Sequence, residues 1–511
     1  RSSETPQARA ETVRQSLLVD PPAGGKAFVD FQHDVTAADV ALAAREGFRS
    51  VELLKRYTTL GMATDQGKTA SVNALAIMAA LTGASVVETG TTVYRPPYVP
   101  VSIGALAGLH RGREFRPRRQ TPAQAWAEQA GAVFTEVGLW LRAQYFPRPG
   151  DTGWLDAATR EALAVRQAVG VCDVSTLGKI EVFGADAGVL LDRIYTNTMS
   201  SLPVGRARYG LMLREDGFVM DDGTVARLAA DHFVLTTTTG NAAGVLQHME
   251  YCRQVLWPRL DAELLDVADQ WAQFAIAGPR SRAVVQAIAA AGQDVSNTAF
   301  PHLAAGPIRL ASGVAGRLFR VSYSGELAFE LAVPAREAES TLRAILAAGA
   351  SHGILPYGTE ALAMLRVEKG HVGGGELNGQ TTARDLGLER MLSRNKDFIG
   401  RALAQRPGLI APDRPSLVGV RPVDPAARFS GGAHFLEIGA ATEAGNDRGW
   451  ISSAVFSPTL GHQIGLGFLA GGQESNLGRR VRAFDPVRNA DIEVEVGPPC
   501  FVDPQGDRLR A

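Results

Sequence analysis

Two adjacent carboxylates, Asp221 and Asp222, end a short apolar segment and are the first residues in this sequence that could do chemistry. The segment follows Asp216-Gly217, a dipeptide that favours a tight hairpin because glycine adopts a positive φ at little cost. Side chains alternate along a strand, so Asp222 is predicted to share a face with Phe218 and Met220, and Asp221 to lie on the other face. A carboxylate that continues an apolar face is costly unless something binds it, which makes Asp222 the candidate ligand contact. The alternative is that both acids end a strand in water.

The composition is that of an ordinary globular protein. The chain has 511 residues, of which 45% are hydrophobic and 21% charged, enough for roughly two to four domains with their own cores. A net charge of -1 gives no overall attraction to nucleic acid or to a membrane. Because neither a long apolar run nor a signal peptide is seen, a cytoplasmic protein is predicted. The chain begins with Arg1 rather than methionine, and we expect an upstream part to be missing.

Metal and disulfide chemistry have little support in the sequence. The three cysteines, Cys172, Cys252 and Cys500, lie far apart and show no CxxC or Cys/His spacing. The histidines form no HxH or HExxH pattern. Neither a disulfide scaffold nor a metal site is predicted.

The amino-terminal part divides into a tail and a small domain. Residues 1–25 are polar and interrupted by proline and glycine pairs, which predicts a tail or linker. Residues 26–85 are predicted to form a small helical domain, with Thr36 and Asp39 forming a capping box at the start of its first helix. Residues 61–69 look like a phosphate loop, but they have one residue too many before the Gly-Lys-Thr, so no nucleotide site is predicted.

Two motifs in this small domain carry a resemblance. A helix with Lys55-Arg-Tyr-Thr58, followed by Gly61-Met-x-x-Asp-Gln-Gly-Lys-Thr69, resembles the bacterioferritin-associated-ferredoxin-type domain of amino-acid-oxidising flavoprotein complexes. In such domains cysteines bind a [2Fe–2S] cluster, but the matching positions here hold Asp30-Phe-Gln32, Asp65 and Ala70. A cluster without thiolates has no ligands, so the resemblance implies a structural unit that docks partners.

Residues 86–155 are predicted to be a linker and docking segment. They contain a proline-rich extended stretch at residues 91–100 and a basic cluster at residues 110–119. A basic cluster beside an aromatic residue can bind nucleic acid, but this one is short and interrupted by Glu114, so a contact between subunits or domains is predicted instead. A helix is predicted over residues 121–134.

The rest of the chain has a mixed pattern. Residues 156–408 combine predicted strands and helices, with the hairpin that carries Asp222 among them. From residue 409 to 511, short strands alternate with glycine and proline, which predicts a small β-barrel. The fold class is therefore α+β.

Seven short motifs stand in the order of the glycine-cleavage aminomethyltransferase family, and the resemblance covers residues 156–511. The motifs are Gly170-Val-Cys-Asp-Val-Ser175, the hairpin from Tyr209 to Asp222, Ala277-Gly-Pro279, Tyr323-Ser-Gly-Glu-Leu-Ala-Phe-Glu330, Leu365-Arg-Val-Glu-Lys-Gly370, Asn395-Lys-Asp-Phe-Ile-Gly400 and Phe456-Ser-Pro-Thr-Leu-Gly461. Together with the small domain ahead of them, they make the chain similar to the C-terminal part of the alpha subunits of heterotetrameric sarcosine oxidases. The implied fold is an aminomethyltransferase-like folate-binding module.

The resemblance assigns four residues to a tetrahydrofolate pocket. It implies that Asp222 lies near the nitrogen that accepts the one-carbon unit, where it either stabilises a cationic iminium or accepts a proton. It implies that Glu330 accepts hydrogen bonds from the amino end of the pteridine, and that Tyr209 and Tyr323 line the pocket. The alternatives are a solvated strand-edge acid for Glu330 and ordinary core aromatics for the tyrosines.

Two positions depart from the family pattern. An arginine that helps to hold folate in aminomethyltransferases is replaced by Leu362, and the pocket tryptophan corresponds to about Arg390. Folate is therefore expected to sit differently, unless these changes belong to the sarcosine oxidase branch.

The resemblance implies a one-carbon acceptor. A flavin-bearing beta subunit, in a complex that also has smaller subunits, would oxidise sarcosine, and this chain would capture the product to give 5,10-methylenetetrahydrofolate. The glycine-rich turn that cradles a dinucleotide is not seen here, so FAD, FMN and NAD are expected in the complex but outside this chain. Two alternatives stay open: a stand-alone glycine-cleavage aminomethyltransferase, and a folate-binding regulatory or scaffold protein without turnover. The choice of amine donor, sarcosine or dimethylglycine, belongs to the partner subunit.

Overall fold

The computed structural model describes residues 24–96, 98–115 and 117–511. They form two compact units, one ending at Pro117 and the other spanning Arg118–Ala511. Most of the predicted tail lies outside the described residues. Within the described ranges, no helix has the length and apolar character needed to cross a membrane.

The first unit is mainly helical. Its elements are β1 (Phe28–Asp30), β2 (Val35–Thr36), α1 (Ala37–Arg45), α2 (Val51–Thr58), α3 (Ser71–Thr82), α4 (Val86–Thr89) and α5 (Ile103–Ala107). The predicted capping box is confirmed, because the Thr36 side chain accepts from the Asp39 amide and the Asp39 carboxylate accepts from the Thr36 amide. Val40, Leu54 and Met78 are fully buried in its core.

Carboxylates hold the loops of the first unit at two of the positions where the resemblance places cluster cysteines. Asp30 is 1% exposed, and its two oxygens accept from the Gln32 amide at 2.9 Å and the Gly61 amide at 2.8 Å. Asp65 accepts from the amide and the hydroxyl of Thr69 at 3.1 and 2.5 Å. Protein hydrogen bonds thus connect these loops.

The second unit contains the remaining elements. Its helices are α6 (Gln124–Gln129), α7 (Trp154–Gln167), α8 (Ala187–Ile194), α9 (Ala242–Tyr251), α10 (Ser281–Ile288), α11 (Ala338–Gly349), α12 (Thr359–Lys369), α13 (Pro407–Ile410), α14 (Gly472–Asn476) and α15 (Asp507–Arg510). Its strands are β3 (Val133–Val137), β4 (Trp140–Tyr145), β5 (Gly170–Asp173), β6 (Gly178–Phe183), β7 (Arg206–Leu213), β8 (Val219–Ala229), β9 (His232–Thr237), β10 (Glu263–Asp266), β11 (Trp271–Ala277), β12 (Ala305–Arg309), β13 (Ala315–Phe319), β14 (Ala328–Pro334), β15 (Leu355–Pro356), β16 (Pro415–Pro422), β17 (His434–Leu436), β18 (Gly449–Ser457), β19 (His462–Ala470), β20 (Arg480–Asp485) and β21 (Ala490–Gly497).

Most of these strands form two sheets and a barrel. One sheet has five strands in the order β10-β6-β9-β8-β7, and the other has six in the order β12-β13-β14-β11-β5-β15. Strands β16 to β21 close into the predicted barrel, and β3 pairs with β4 in a hairpin. Helix α12 packs against α7, β4 and the barrel strand β18, so its side chains reach both the sheets and the barrel. The predicted α+β class is confirmed.

The predicted helix over residues 121–134 is wrong in extent. Helix α6 covers only Gln124–Gln129. Gly131 follows it with a φ of 75°, a conformation that ends a helix and that glycine adopts without strain. The aromatic and β-branched residues beyond it pair as β3 with β4.

Candidate functional site

The hairpin that carries the two acids has the predicted turn, but its register differs from simple alternation. Gly217 takes a φ of 90° at the turn between β7 and β8. The register then shifts, because Val219 pairs with Leu213 whereas Asp221 pairs with Met212, so the strand carries one extra residue. This bulge puts Asp222 on the face of Val219.

The predicted grouping of Asp222 with Phe218 and Met220 is therefore wrong. Met220 instead packs with the cluster on the opposite face, beneath helices α8 and α9. The expectation that the two acids point to opposite faces holds, since their partners Met212 and Leu211 are successive residues.

Asp222 accepts a hydrogen bond from a predicted pocket residue. The Tyr209 hydroxyl donates to Asp222 Oδ2 at 2.6 Å, and the Asn197 side-chain amide donates to the Tyr209 carbonyl oxygen at 2.8 Å. Burial raises the pKa of Asp222, and the hydrogen bond from Tyr209 partly counters this. Burial and the negative charge of Asp222 raise the pKa of Tyr209 so far that it stays a donor. The pair presents a carboxylate with one oxygen engaged.

Asp221 is bound into the protein. It is 3% exposed, and it accepts from the Thr238 hydroxyl at 2.7 Å and the Thr238 amide at 3.2 Å. Burial raises its pKa to about 7, with a further contribution from the charge of Asp222. Asp221 therefore has the contacts of a structural residue, while Asp222 keeps partial exposure.

The raised pKa of Asp221 predicts a pH-dependent stability. The unfolded carboxyl titrates near pH 4, so between about pH 4 and pH 7 the folded protein binds more protons and its stability falls as the pH rises. The Asp221→Asn variant has no carboxyl group at this position, so it does not lose stability in this way. The difference in free energy of unfolding, variant minus unaltered protein, should therefore rise by roughly 2–3 kcal/mol from pH 5 to pH 8. Urea unfolding of both proteins at the two pH values measures this, and an unchanged difference would contradict it.

Glu330 lies on β14, in the six-stranded sheet. The Gln273 side-chain amide on neighbouring β11 donates to one of its oxygens. Burial raises the pKa of Glu330, and the Gln273 hydrogen bond and the positive charge of Lys179 oppose the rise. The residue nonetheless keeps partial exposure.

Tyr323 is a further predicted pocket residue that remains exposed. Its hydroxyl donates to the Val372 carbonyl at 2.8 Å, its ring stacks on His371, and 38% of the residue is exposed. Burial still raises its pKa to about 12; the positive charge of Arg366 lowers this pKa and the negative charge of Asp222 raises it further. A ring both exposed and surrounded by protein is typical of a pocket wall.

A buried ion pair supports this wall. Arg366 on α12 donates to Glu376 at 2.7 Å and to the Ser453 hydroxyl at 2.6 Å. Glu376 is fully buried and also accepts from the Ser452 and Ser453 hydroxyls. Sequence reasoning missed both residues. Arg366 lies inside the motif Leu365-Arg-Val-Glu-Lys-Gly370, which could have indicated it. Glu376 lies in no recognisable sequence pattern.

The structure brings the predicted residues together in two groups. The charge of Asp222 acts on Tyr209 and on Tyr323, which places these three side chains in one neighbourhood. Glu330 belongs to a second group with Gln273. The charge of Arg142 lowers the pKa of Tyr323 and of Tyr357, and the charge of Glu330 raises the pKa of Tyr357, so Arg142 acts on residues near both groups.

The two departures from the family pattern have different settings. Leu362 packs against a buried apolar cluster that includes Ala158 and Met364, so it serves as a core residue. Arg390 is exposed in a short 3₁₀ turn, Glu389–Met391.

Comparison with known proteins defines the class. Residues 123–396 match the model of the GCVT N-terminal domain, and residues 416–503 match that of the glycine cleavage T-protein C-terminal barrel domain. Residues 24–109 match the sarcosine oxidase A3 domain. The chain belongs to the family of the glycine-cleavage T-proteins, as the ordered motifs predicted. An aminomethyltransferase from Saccharopolyspora erythraea is 32% identical over 69% of this chain and 90% of its own length.

The similarity to sarcosine oxidase alpha subunits extends further along the chain. The subunit from Rhizobium meliloti is 52% identical over 95% of this chain and 49% of its own length, and that from Corynebacterium sp. strain P-1 is 44% identical over 94% and 50%. The chain thus spans about half the length of these curated relatives, and the predicted resemblance to them is confirmed. The crystal structure of the aminomethyltransferase from Bartonella henselae shares the fold, with a TM-score of 0.65, 23% identity and coverage of 75% of this chain and 98% of that one.

Proposed function

We propose that this chain is the folate-binding module of a sarcosine-oxidising flavoenzyme complex. In this proposal it captures the one-carbon unit of the oxidised amine and forms 5,10-methylenetetrahydrofolate. A flavin-bearing beta subunit and smaller subunits are its partners, sarcosine is the amine substrate, and FAD, FMN and NAD are bound outside this chain. The match to the sarcosine oxidase A3 domain favours this proposal over a stand-alone aminomethyltransferase.

The observation that carries the proposal is the Tyr209–Asp222 pair. Burial raises the pKa of Asp222, so its negative charge is energetically costly in the free protein, and the side chain still keeps partial exposure. A ligand nitrogen that gains positive charge during the reaction would offset this cost.

The surrounding side chains also fit tetrahydrofolate. Its pteridine has a flat ring, which suits the exposed face of Tyr323. Its amino and ring N–H groups are donors, which suit the carboxylate of Glu330. These residues therefore bind and orient the ligand, while Asp222 acts at the reacting nitrogen.

Loss of the Glu330 charge should weaken folate binding. Replacing Glu330 by Gln removes a charge-assisted hydrogen bond, and we expect the Kd for 5-formyltetrahydrofolate to rise about 10- to 100-fold. Isothermal titration calorimetry of the purified chain measures this. The control is Glu339→Gln, because Glu339 is a helix acid with 41% of its side chain exposed.

Two other outcomes would change the proposal. If the unaltered, folded chain binds no folate, the proposal fails. If it binds folate and Glu330→Gln binds equally well, folate binding stands but this carboxylate has no part in it.

A further inference from the structure

Strand β4 carries a guanidinium with few partners. Arg142 Nη2 lies 3.4 Å from the Asp173 carbonyl oxygen and 3.8 Å from Cys172 Sγ, which are long contacts. Its Nε is buried and has no hydrogen-bond partner among the described residues. No carboxylate in the described ranges forms an ion pair with it. Because a guanidinium has five N–H donors, most of the binding capacity of Arg142 is unused.

The sheet register places this cation on the same face as Glu330. Cys172 on β5 stands directly opposite Ala275 on β11, and Ala275 stands directly opposite Glu330 on β14. Directly opposite residues point to one face, and neighbouring strands lie about 4.8 Å apart. The backbones at Cys172 and Glu330 are therefore separated by about 10 Å, with Arg142 at one end and the carboxylate at the other.

The space between the two charges suits a flat ligand. The residue between them, Ala275, has a small side chain and remains partly exposed. Tyr357 is fully buried nearby, and the charges of both Glu330 and Arg142 act on it. Arg142 also acts on Tyr323, so the cation is near the pocket wall.

We propose that Arg142 donates hydrogen bonds to the carbonyl oxygen of the folate pteridine while Glu330 accepts from its amino end. This inference rests on the proposed function and deepens it. The pteridine edge alternates donors, the amino group and the ring N–H, with one carbonyl acceptor. A carboxylate accepts from the donors and a guanidinium donates to the acceptor. Glu330 and Arg142 would therefore bind different groups of the same ring.

A pair of ligands that differ at this carbonyl tests the inference. Calorimetry would compare 5-formyltetrahydrofolate with its analogue that has an amino group in place of the 4-oxo group, on the unaltered chain and on Arg142→Met. The amino analogue also lacks the ring N–H beside this position, so its contact with Glu330 changes as well. We expect the unaltered chain to prefer the oxo ligand about tenfold or more, because the guanidinium cannot donate to an amino group. Arg142→Met should weaken oxo-ligand binding about 10- to 100-fold and lower the preference by a similar factor, while Arg142→Lys should keep part of it.

The control variant is Arg148→Met, since Arg148 is exposed six residues further along the chain. Arg148→Met should retain both affinity and preference. If Arg142→Met also retains them, the inference is overturned and the proposed function stands. If Arg142→Met loses affinity for both ligands equally, together with a lower Tm, Arg142 is structural and the inference is again overturned. If the unaltered chain binds neither ligand, the proposed function fails and the inference fails with it.

Discussion

The Asp222→Asn variant should form 5,10-methylenetetrahydrofolate at least about 100 times more slowly than the unaltered chain, because a positioned carboxylate contributes about 10²–10⁴ in rate to such a step. In our proposal, the Asp222 charge either offsets positive charge at the reacting nitrogen or removes its proton. Asparagine keeps the size and can still accept from the Tyr209 hydroxyl, so only the charge and the basicity are lost.

This rate is measured with purified chain, tetrahydrofolate and formaldehyde, after subtraction of the uncatalysed reaction. Asp221→Asn is the matched control, because the neighbouring acid lies on the other face and binds Thr238. We expect that variant to stay within about threefold of the unaltered rate, since its side chain does not face the ligand. Folate affinity of Asp222→Asn should change less than its rate. Equal losses of rate in the two variants would argue against a special role for Asp222.

Replacing Glu368 by Ala should destabilise the second unit by about 3–5 kcal/mol, which is the usual cost of breaking a buried ion pair. Glu368 is fully buried on α12 and accepts a hydrogen bond from Arg166 Nε at 2.9 Å, with Arg166 Nη2 at an ion-pair distance of 2.7 Å from the same oxygen. Its carboxylate also accepts from the Ser457 hydroxyl at 2.5 Å and the Thr459 hydroxyl at 3.0 Å, near the end of barrel strand β18. One side chain thus ties α7, α12 and the barrel together.

Urea unfolding followed by circular dichroism would report this loss. The control is Glu339→Ala, which removes an exposed pair with Arg343 within one helix and should cost no more than about 0.5 kcal/mol. A Glu368→Ala protein as stable as this control would show that the buried network contributes little.

The sequence predicted the hairpin but not its register. Asp216-Gly217 is a local signal, because the turn depends on the conformational freedom of one glycine. The bulge at Met220 is not local, since it depends on how each face of β8 packs against helices and sheets distant in the chain. Strict alternation therefore placed Met220 on the wrong face.

The part of the candidate site that lies within short sequence motifs was predictable. Asp222 and Glu330 each end a motif, and the ordered motifs indicated them. The supporting contacts join distant parts of the chain: Arg166 and Glu368 are 202 positions apart, and Arg142 reaches the sheet through β5. No periodicity records such pairs, because they arise only when the elements pack.

Because Asp30 and Asp65 stand where the related domains have cluster cysteines, the first unit should differ from those domains in its need for iron and in its sensitivity to oxidation. All three cysteines of the chain lie beyond the first unit, so its loops are connected by side-chain oxygens and not by sulfur. Folding of this unit should therefore not depend on iron, and peroxide has no thiolate there to oxidise. It also has no thiolate-held cluster to carry electrons. In the proposed complex, electrons released when the amine is oxidised therefore have no thiolate-held cluster of this unit to pass through.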